Sequence, residues 1–292
     1  MNDPQSLAFT AVAAQSYPGV AQGRSQTIAS LNQVTLDDVR GFLNRQIQTE
    51  RLLVALAGDV SPQTTRALLD VLQERLPRGE VAADEPFLDI QNQGRTIVVP
   101  QPIPQSTVVM AMPGLARDDP DFLVAYVLNH IVGGGGFSSR LTDEIREKRG
   151  LAYSVASFLS PSAQTASFMV YFATRNDAVA EAIDIALAVL SDVAEHGVSE
   201  KELNDAKSNL MGSYALRFDS NGKIANHLMG VQISDLPVNY HEIRNDLVAE
   251  VTMDDVKRVA QRLLADIDPL IVVAGDPQNI EIDDTIAPAS LF

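Results

Sequence analysis

Val34–Asp59 reads VTLDDVRGFLNRQIQTERLLVALAGD, and Val251–Asp276 reads VTMDDVKRVAQRLLADIDPLIVVAGD. Without gaps, 10 of the 26 positions are identical, whereas unrelated segments of ordinary composition share about one or two. Each copy opens with a Thr in N-cap position followed by paired acids, Asp37-Asp38 and Asp254-Asp255. A Thr hydroxyl there accepts from the first-turn amides, and acids suit the positive end of the helix dipole. Each copy then has a helical stretch, a short connection and an apolar run, Leu52–Ala57 or Pro269–Ala274, ended by Gly-Asp. Such runs read as buried strands. The recurrence of the acid pairs at helix starts makes capping a simpler reading than metal ligation. The offset is 251 − 34 = 217 residues, a domain-sized period, so the chain carries a duplicated unit.

Working outward, Ser6–Ser16 is apolar at helical spacing, and Ser61-Pro62 starts a helix that runs to about Leu76. Thr96–Val99 and Thr107–Met112 read as strands. Asp118–Val132 is a helix running into Gly133–Gly136, and Ser138 or Ser139 caps a short helix that ends at Gly150. Leu151–Leu159 and Ala166–Thr174 are strands. Asp177–Glu195 is an amphipathic helix, Ser199–Glu202 is a capping box, and a last helix follows Thr252. Mixed runs, with neighbouring strands close enough for hairpins, predict an α+β fold with a mainly antiparallel sheet flanked by helices. The second unit begins near Arg95 and ends near Pro277, so its match in the first would begin at 95 − 217 = −122, upstream of Met1. The expected organisation is residues 1–80 as the C-terminal third of an incomplete first unit, a polar linker over 81–94, a complete second unit over 95–285 and a tail over 286–292.

Composition narrows the partners. The 22 Lys and Arg against 38 Asp and Glu give a net charge of −16. That field disfavours a nucleic acid or an anionic membrane as the main partner and permits attraction of basic peptides. There is no Cys, so a thiolate metal site or Cys nucleophile is excluded. Met1–Ser6 has no basic n-region or apolar h-region, and no apolar run approaches the roughly 18–20 residues of a membrane span.

The segment Asn129–Val155, NHIVGGGGFSSRLTDEIREKRGLAYSV, carries a resemblance. Its glycine turn, Ser138-Ser139-Arg140-Leu141, Arg146-Glu147-Lys148 and Gly150-Leu151-Ala152-Tyr153-Ser154 are similar to the second domain of the pitrilysin, insulinase and mitochondrial-processing-peptidase family. These are zinc endopeptidases of the inverted-motif type. The resemblance implies a processing-peptidase-like fold, a closed chamber and an extended peptide substrate bound partly by strand addition. It also implies a zinc-bearing domain or partner subunit and a homo- or hetero-oligomer. The family's HxxEH, which places two imidazoles on one helix face and a Glu beside them as base, does not occur here. By the resemblance Tyr126 stands for the first His and Asn129 for the Glu, leaving only His130, so this is expected to be the non-zinc unit, with no cofactor of its own. What survives is Arg146 and Tyr153. In the family an Arg and a Tyr at this spacing reach the substrate carbonyl, where developing negative charge calls for preorganised donors. Read without the resemblance, Arg146 is a solvated helix residue and Tyr153 a strand-end aromatic. Gly133–Gly136 lacks both the GxGxxG spacing and a following Lys-Ser/Thr, so it reads as a turn between helices, not a phosphate cradle. A structural core-type subunit of a larger complex, or the C-terminal part of a single-chain active protease, are the competing expectations. The compartment is not readable from the residues; exported bacterial members point to the periplasm or cell envelope.

Overall fold

A computed structural model describes residues 3–79 and 86–292. Its centre is a six-stranded sheet in the order β3-β4-β2-β5-β1-β6. The strands are β1 (Thr96–Pro100), β2 (Gln105–Pro113), β3 (Ala152–Pro161), β4 (Ala166–Arg175), β5 (Leu270–Gly275) and β6 (Asp284–Thr285). β3–β4, β4–β2 and β2–β5 pair antiparallel, while β1 pairs parallel with β5 and β6. The mainly antiparallel sheet expected from the strand spacing forms, and the parallel pairing of β1 with both its neighbours is an addition to it.

The helices are α1 (Pro4–Ser16), α2 (Ile28–Gln33), α3 (Leu36–Gln46), α4 (Pro62–Arg75), α5 (Phe122–Asn129), α6 (Val179–His196), α7 (Glu200–Gly212), α8 (Asn221–Ile233), α9 (Tyr240–Glu250) and α10 (Met253–Leu264). By packing, the described residues form two units. One holds the residues up to Thr27 with Phe87–Leu210 and Asp246–Phe292; the other holds Ile28–Pro86 and Met211–Asn245. These units cut the chain by contact, whereas the segments 1–80, 81–94, 95–285 and 286–292 cut it by sequence duplication. Residues 81–85 of the expected linker lie outside the described residues. Its remainder is engaged in the first unit: Leu88 bridges Thr165, and the Gln91 amide donates to Ser16 O at 2.9 Å.

In the first unit the central strands β1, β2 and β5 are buried on both faces. Alternate residues Ile97 and Val99, Val109 and Ala111, and Leu270, Val272 and Ala274 form one apolar cluster with Leu7, Ala8, Ala11 and Val12 of α1. This follows from the period of two along a strand. α5, α6 and α10 pack together, and α6 also contacts β4. Arg258 and Arg262 of α10 tie down the approach to α5. Arg258 reaches Asp121 at 2.7 Å, and Arg262 reaches Asp119 at 2.7 Å and Asp121 at 2.8 Å. Asp119 and Asp121 are held below the usual carboxylate range by these hydrogen bonds. Their engagement, with Pro120 between them, starts α5 at Phe122 and not at Asp118.

The second unit contains α2, α3, α4, α8 and most of α9. Here the repeat copies part company. Both form the same capping box: the Thr35 amide donates to Asp38 at 2.9 Å and the Thr252 amide to Asp255 at 3.1 Å, each answered by the return bond to the Thr hydroxyl. Beyond the caps, burial differs sharply. Phe42 and Ile47 are 56% and 45% exposed, whereas their equivalents Val259 and Leu264 are 0% and 1% exposed. The run Leu52–Ala57 does not form a strand, which corrects the expectation for it. β5, its equivalent, is a strand because β1 and β2 pair with it on either side. No described strand lies beside Leu52–Ala57. An apolar run specifies a strand only where a neighbour completes the ladder. Of the elements the sequence did not announce, α2, α8 and most of α9 lie in this unit, and the two-residue β6 lies in the first.

Candidate functional site

The site is built where α5, the glycine run and β3 meet in the first unit. α5 passes at His130 into a π-helical turn, His130–Gly134. A Cβ on Gly133 would stand 2.5 Å from the backbone nitrogen of Ser157 on β3, so only glycine allows this turn to lie against the strand. The glycine run is therefore a close-packed turn, with Gly133 buried, and not a loose connection. A short 3-10 turn, Gly136–Ser138, follows. Ser138 Oγ donates to Gly135 O at 3.1 Å, and the Ser139 amide and hydroxyl donate to Gly136 O at 3.1 and 2.8 Å. The Ser-Ser pair thus pins the turn that carries Phe137.

The expected short helix continues from Arg140, but Thr142–Glu147 is π-helical. The Lys148 amide reaches back five residues to Asp143 O, and the Leu151 amide reaches Ile145 O, each at 2.9 Å. Widened turns of this kind recur at functional sites. Leu141 and Ile145 are buried, so the turn is fixed from inside, while Arg146 is half-buried. Gly150, at φ 63°, reverses the chain as expected of a C-terminal glycine. β3 begins at Ala152, and its pairing with β4 shifts register between Ala152 and Val155. Three steps on β3 oppose two on β4, a bulge that carries Tyr153 on the edge strand. Bulges re-aim side chains in this way.

Arg146 and Tyr153, singled out in the sequence, come together. The Arg146 guanidinium carbon lies 4.9 Å from the Tyr153 ring centroid and 4.5 Å from that of Phe137. Its neighbours behave differently: Lys148 pairs with Asp143 at 2.9 Å and Glu144 at 2.5 Å, and Arg149 pairs with Glu144 at 2.5 Å. Among the described residues, the ion pair of Arg146 is with Glu147, at 3.3 Å from Nε. Tyr153 is 84% exposed, and its hydroxyl makes no hydrogen bond among the described residues. A charged guanidinium and a free phenol side by side on a sheet edge can donate to one carbonyl or carboxylate. Phe137 was not singled out; an aromatic in an exposed turn nine residues before the Arg was the available signal.

Arg140, beside this turn, anchors it. Its Nε and Nη2 donate to Glu202 at 2.6 and 2.9 Å, Nη1 to Asp192 at 2.9 Å and Nη2 to Gly197 O at 3.1 Å. The Arg140 hydrogen bond, together with the Ser199 amide and hydroxyl, pulls the Glu202 carboxyl down to about 2.

The residues at the HxxEH-equivalent positions do not fit zinc. Asn129 is buried and its Oδ1 accepts from Ser157 Oγ at 2.7 Å. Burial holds the His130 imidazole below its ordinary value, but a lone imidazole beside an amide committed to Ser157 is not a tetrahedral donor set. Among the described residues no three His, Asp or Glu side chains gather as a metal site, and no helix is long and apolar enough to cross a membrane.

Comparison with known proteins places the fold. The family described as peptidase M16 inactive domain matches residues 33–210. An uncharacterised zinc protease of Streptomyces coelicolor is 32% identical over 272 residues, covering 89% of this chain and 58% of that protein. A non-peptidase homologue from Helicobacter pylori is 27% identical over 79% of this chain and 53% of its own length. The chain thus spans little more than half the length of these curated relatives. A crystal structure of a peptidase M16 inactive domain from Pseudomonas fluorescens superimposes with a TM-score of 0.87 at 28% identity, covering 97% of this chain and 67% of that one. A match over more than half of its residues, on a fold shared with a solved inactive domain, makes this chain a member of the peptidase M16 inactive-domain family.

Proposed function

We propose that this chain is the substrate-binding, non-zinc part of a zinc-dependent endopeptidase and is inactive alone. Arg146 and Tyr153 donate to a backbone carbonyl of an extended peptide, and β3, at the edge of the sheet, offers its backbone for strand addition. The observation that carries the reading is the convergence of the Arg146 guanidinium on the exposed Tyr153 ring at the β3 bulge. The zinc belongs to another domain or a partner subunit, within a homo- or hetero-oligomer. On this reading residues 1–80 are the last third of a first unit, 81–94 a linker and 95–285 the complete second unit. The net charge of −16 favours basic peptides.

The test is fluorescence anisotropy of a labelled, unstructured basic peptide with the purified chain. Tyr153→Phe and Arg146→Met are each expected to weaken binding by about three- to tenfold, the worth of one net hydrogen bond. Unchanged affinity in both variants refutes the reading. A second reading, a structural subunit without a substrate role, is favoured by the non-peptidase name of the Helicobacter relative. A purely structural subunit gives no reason for Arg146 and Tyr153 to converge at the surface, and predicts that outcome of unchanged affinity.

A further inference from the structure

We infer that Phe137 is a positioning residue for Arg146: its ring holds the guanidinium in place beside Tyr153, with the in-plane donors left to meet a peptide carbonyl. This rests on the reading that Arg146 binds substrate. Phe137 is 71% exposed, in the turn fixed by Ser138 and Ser139, and has its ring 4.5 Å from the Arg146 guanidinium carbon. Arg146 is otherwise held weakly. Its ion pair with Glu147 engages Nε at 3.3 Å, whereas Arg140 six residues earlier has four bonds of 2.6–3.1 Å. Yet the Arg146 side chain is only 28% exposed. Two aromatic rings, from the turn and from the bulge of β3, lie against the guanidinium at 4.5 and 4.9 Å.

The chemistry of guanidinium explains why rings serve here better than carboxylates. Its faces are weakly hydrated and stack on aromatic π-systems, while its donors all lie in the plane. A carboxylate partner would consume two of those donors. A ring takes the face and leaves the edge available. Phe137, having no hydrogen-bonding group, cannot compete with the substrate for Arg146. Tyr153 then has two tasks, as the second ring over the guanidinium and as a donor in its own right, whereas Phe137 has only the first. Ordering a long Arg side chain before substrate arrives also removes part of the entropy that binding would otherwise cost.

The test uses the full chain with ¹⁵N-labelled arginine. Phe137→Leu keeps an apolar side chain in an exposed turn but removes the ring, and Phe137→Tyr restores one. In the unsubstituted protein the Arg146 Nε–H resonance is expected to show a ring-current shift and slowed side-chain motion. Phe137→Leu abolishes much of both and Phe137→Tyr recovers them. Peptide affinity follows, falling about three- to fivefold in Phe137→Leu, the size of an exposed cation–π contact, and returning in Phe137→Tyr. In an Arg146→Met background Phe137→Leu has no further effect. The inference is overturned if Phe137→Leu leaves the Arg146 resonance and its dynamics unchanged, or if affinity falls equally with and without Arg146. If Arg146→Met itself leaves affinity unchanged while the resonance still responds to Phe137, the ring stack stands and it is the carbonyl-binding reading that fails.

Discussion

Replacing Glu202 with Gln tests how the turn bearing Arg146 is tethered. Glu202 accepts two bonds from Arg140 and one each from the Ser199 amide and hydroxyl, the latter two at 2.7 Å. Its carboxyl, ordinarily near 4.5, titrates at about 2 in the folded protein, with the Arg140 hydrogen bond as the largest cause. At about 1.4 kcal/mol per pH unit, that gap corresponds to about 3 kcal/mol of folding stability at neutral pH. Solvent reaches both side chains, which are 22% and 29% exposed, and screening lowers the figure to about 2 kcal/mol. The folded value lies below the unfolded one. The stabilisation is therefore complete above about pH 4.5 and is lost as pH falls towards 2. Gln keeps the shape and the capping-box role but not the charge. Urea unfolding followed by far-UV circular dichroism, from pH 7 down to pH 2.5, is the assay. Glu202→Gln is expected to cost about 2 kcal/mol at pH 7, with most of the difference gone by pH 2.5. A difference that is the same at both ends, or absent at pH 7, refutes the assignment of this stability to an ionised Glu202.

Three further substitutions probe the fold. Leu264→Ala, in the buried copy of the repeat, is expected to cost about 2–5 kcal/mol in urea unfolding, whereas Ile47→Ala, its half-exposed equivalent at the C-cap of α3, costs under about 1 kcal/mol. Equal costs would contradict the burial contrast between the copies. Gly133→Ala forces a methyl into the Ser157 backbone and is expected to lower stability by about 1–3 kcal/mol, read from the urea midpoint. It also disturbs the Asn129–Ser157 bond, which hydrogen exchange at β3 reports.

Much of the fold is legible because its signals are local. Thr35 and Thr252 form their capping boxes, Ser61 and Ser199 open helices, and Gly150 ends a turn at positive φ. Strand periodicity finds β1 to β5, but periodicity says nothing about partners. The same module is a central strand at Leu270–Gly275 and unpaired at Leu52–Ala57, because ladder bonds come from elsewhere in the chain. α8 and α9 escaped because their apolar stripes are weak: each buries few residues. At the site, it was the family resemblance of Asn129–Val155 that brought Arg146 and Tyr153 into view, while a helical turn, a reversing glycine and a strand start explain how residues seven apart come together. The π-helical widening and the β3 bulge that set their directions have no sequence period of their own. Phe137 and Arg140 required the three-dimensional contacts.

The central claim is that Arg146 and Tyr153 contact substrate from a unit that holds no zinc itself. Peptide turnover by the protease assembled with its zinc-bearing unit tests it most directly. Tyr153→Phe in this chain is expected to lower kcat/KM by about 10²-fold or more, the scale of losing one preorganised donor to a developing oxyanion, with assembly and zinc content unchanged. Unaltered turnover in that variant would contradict the account.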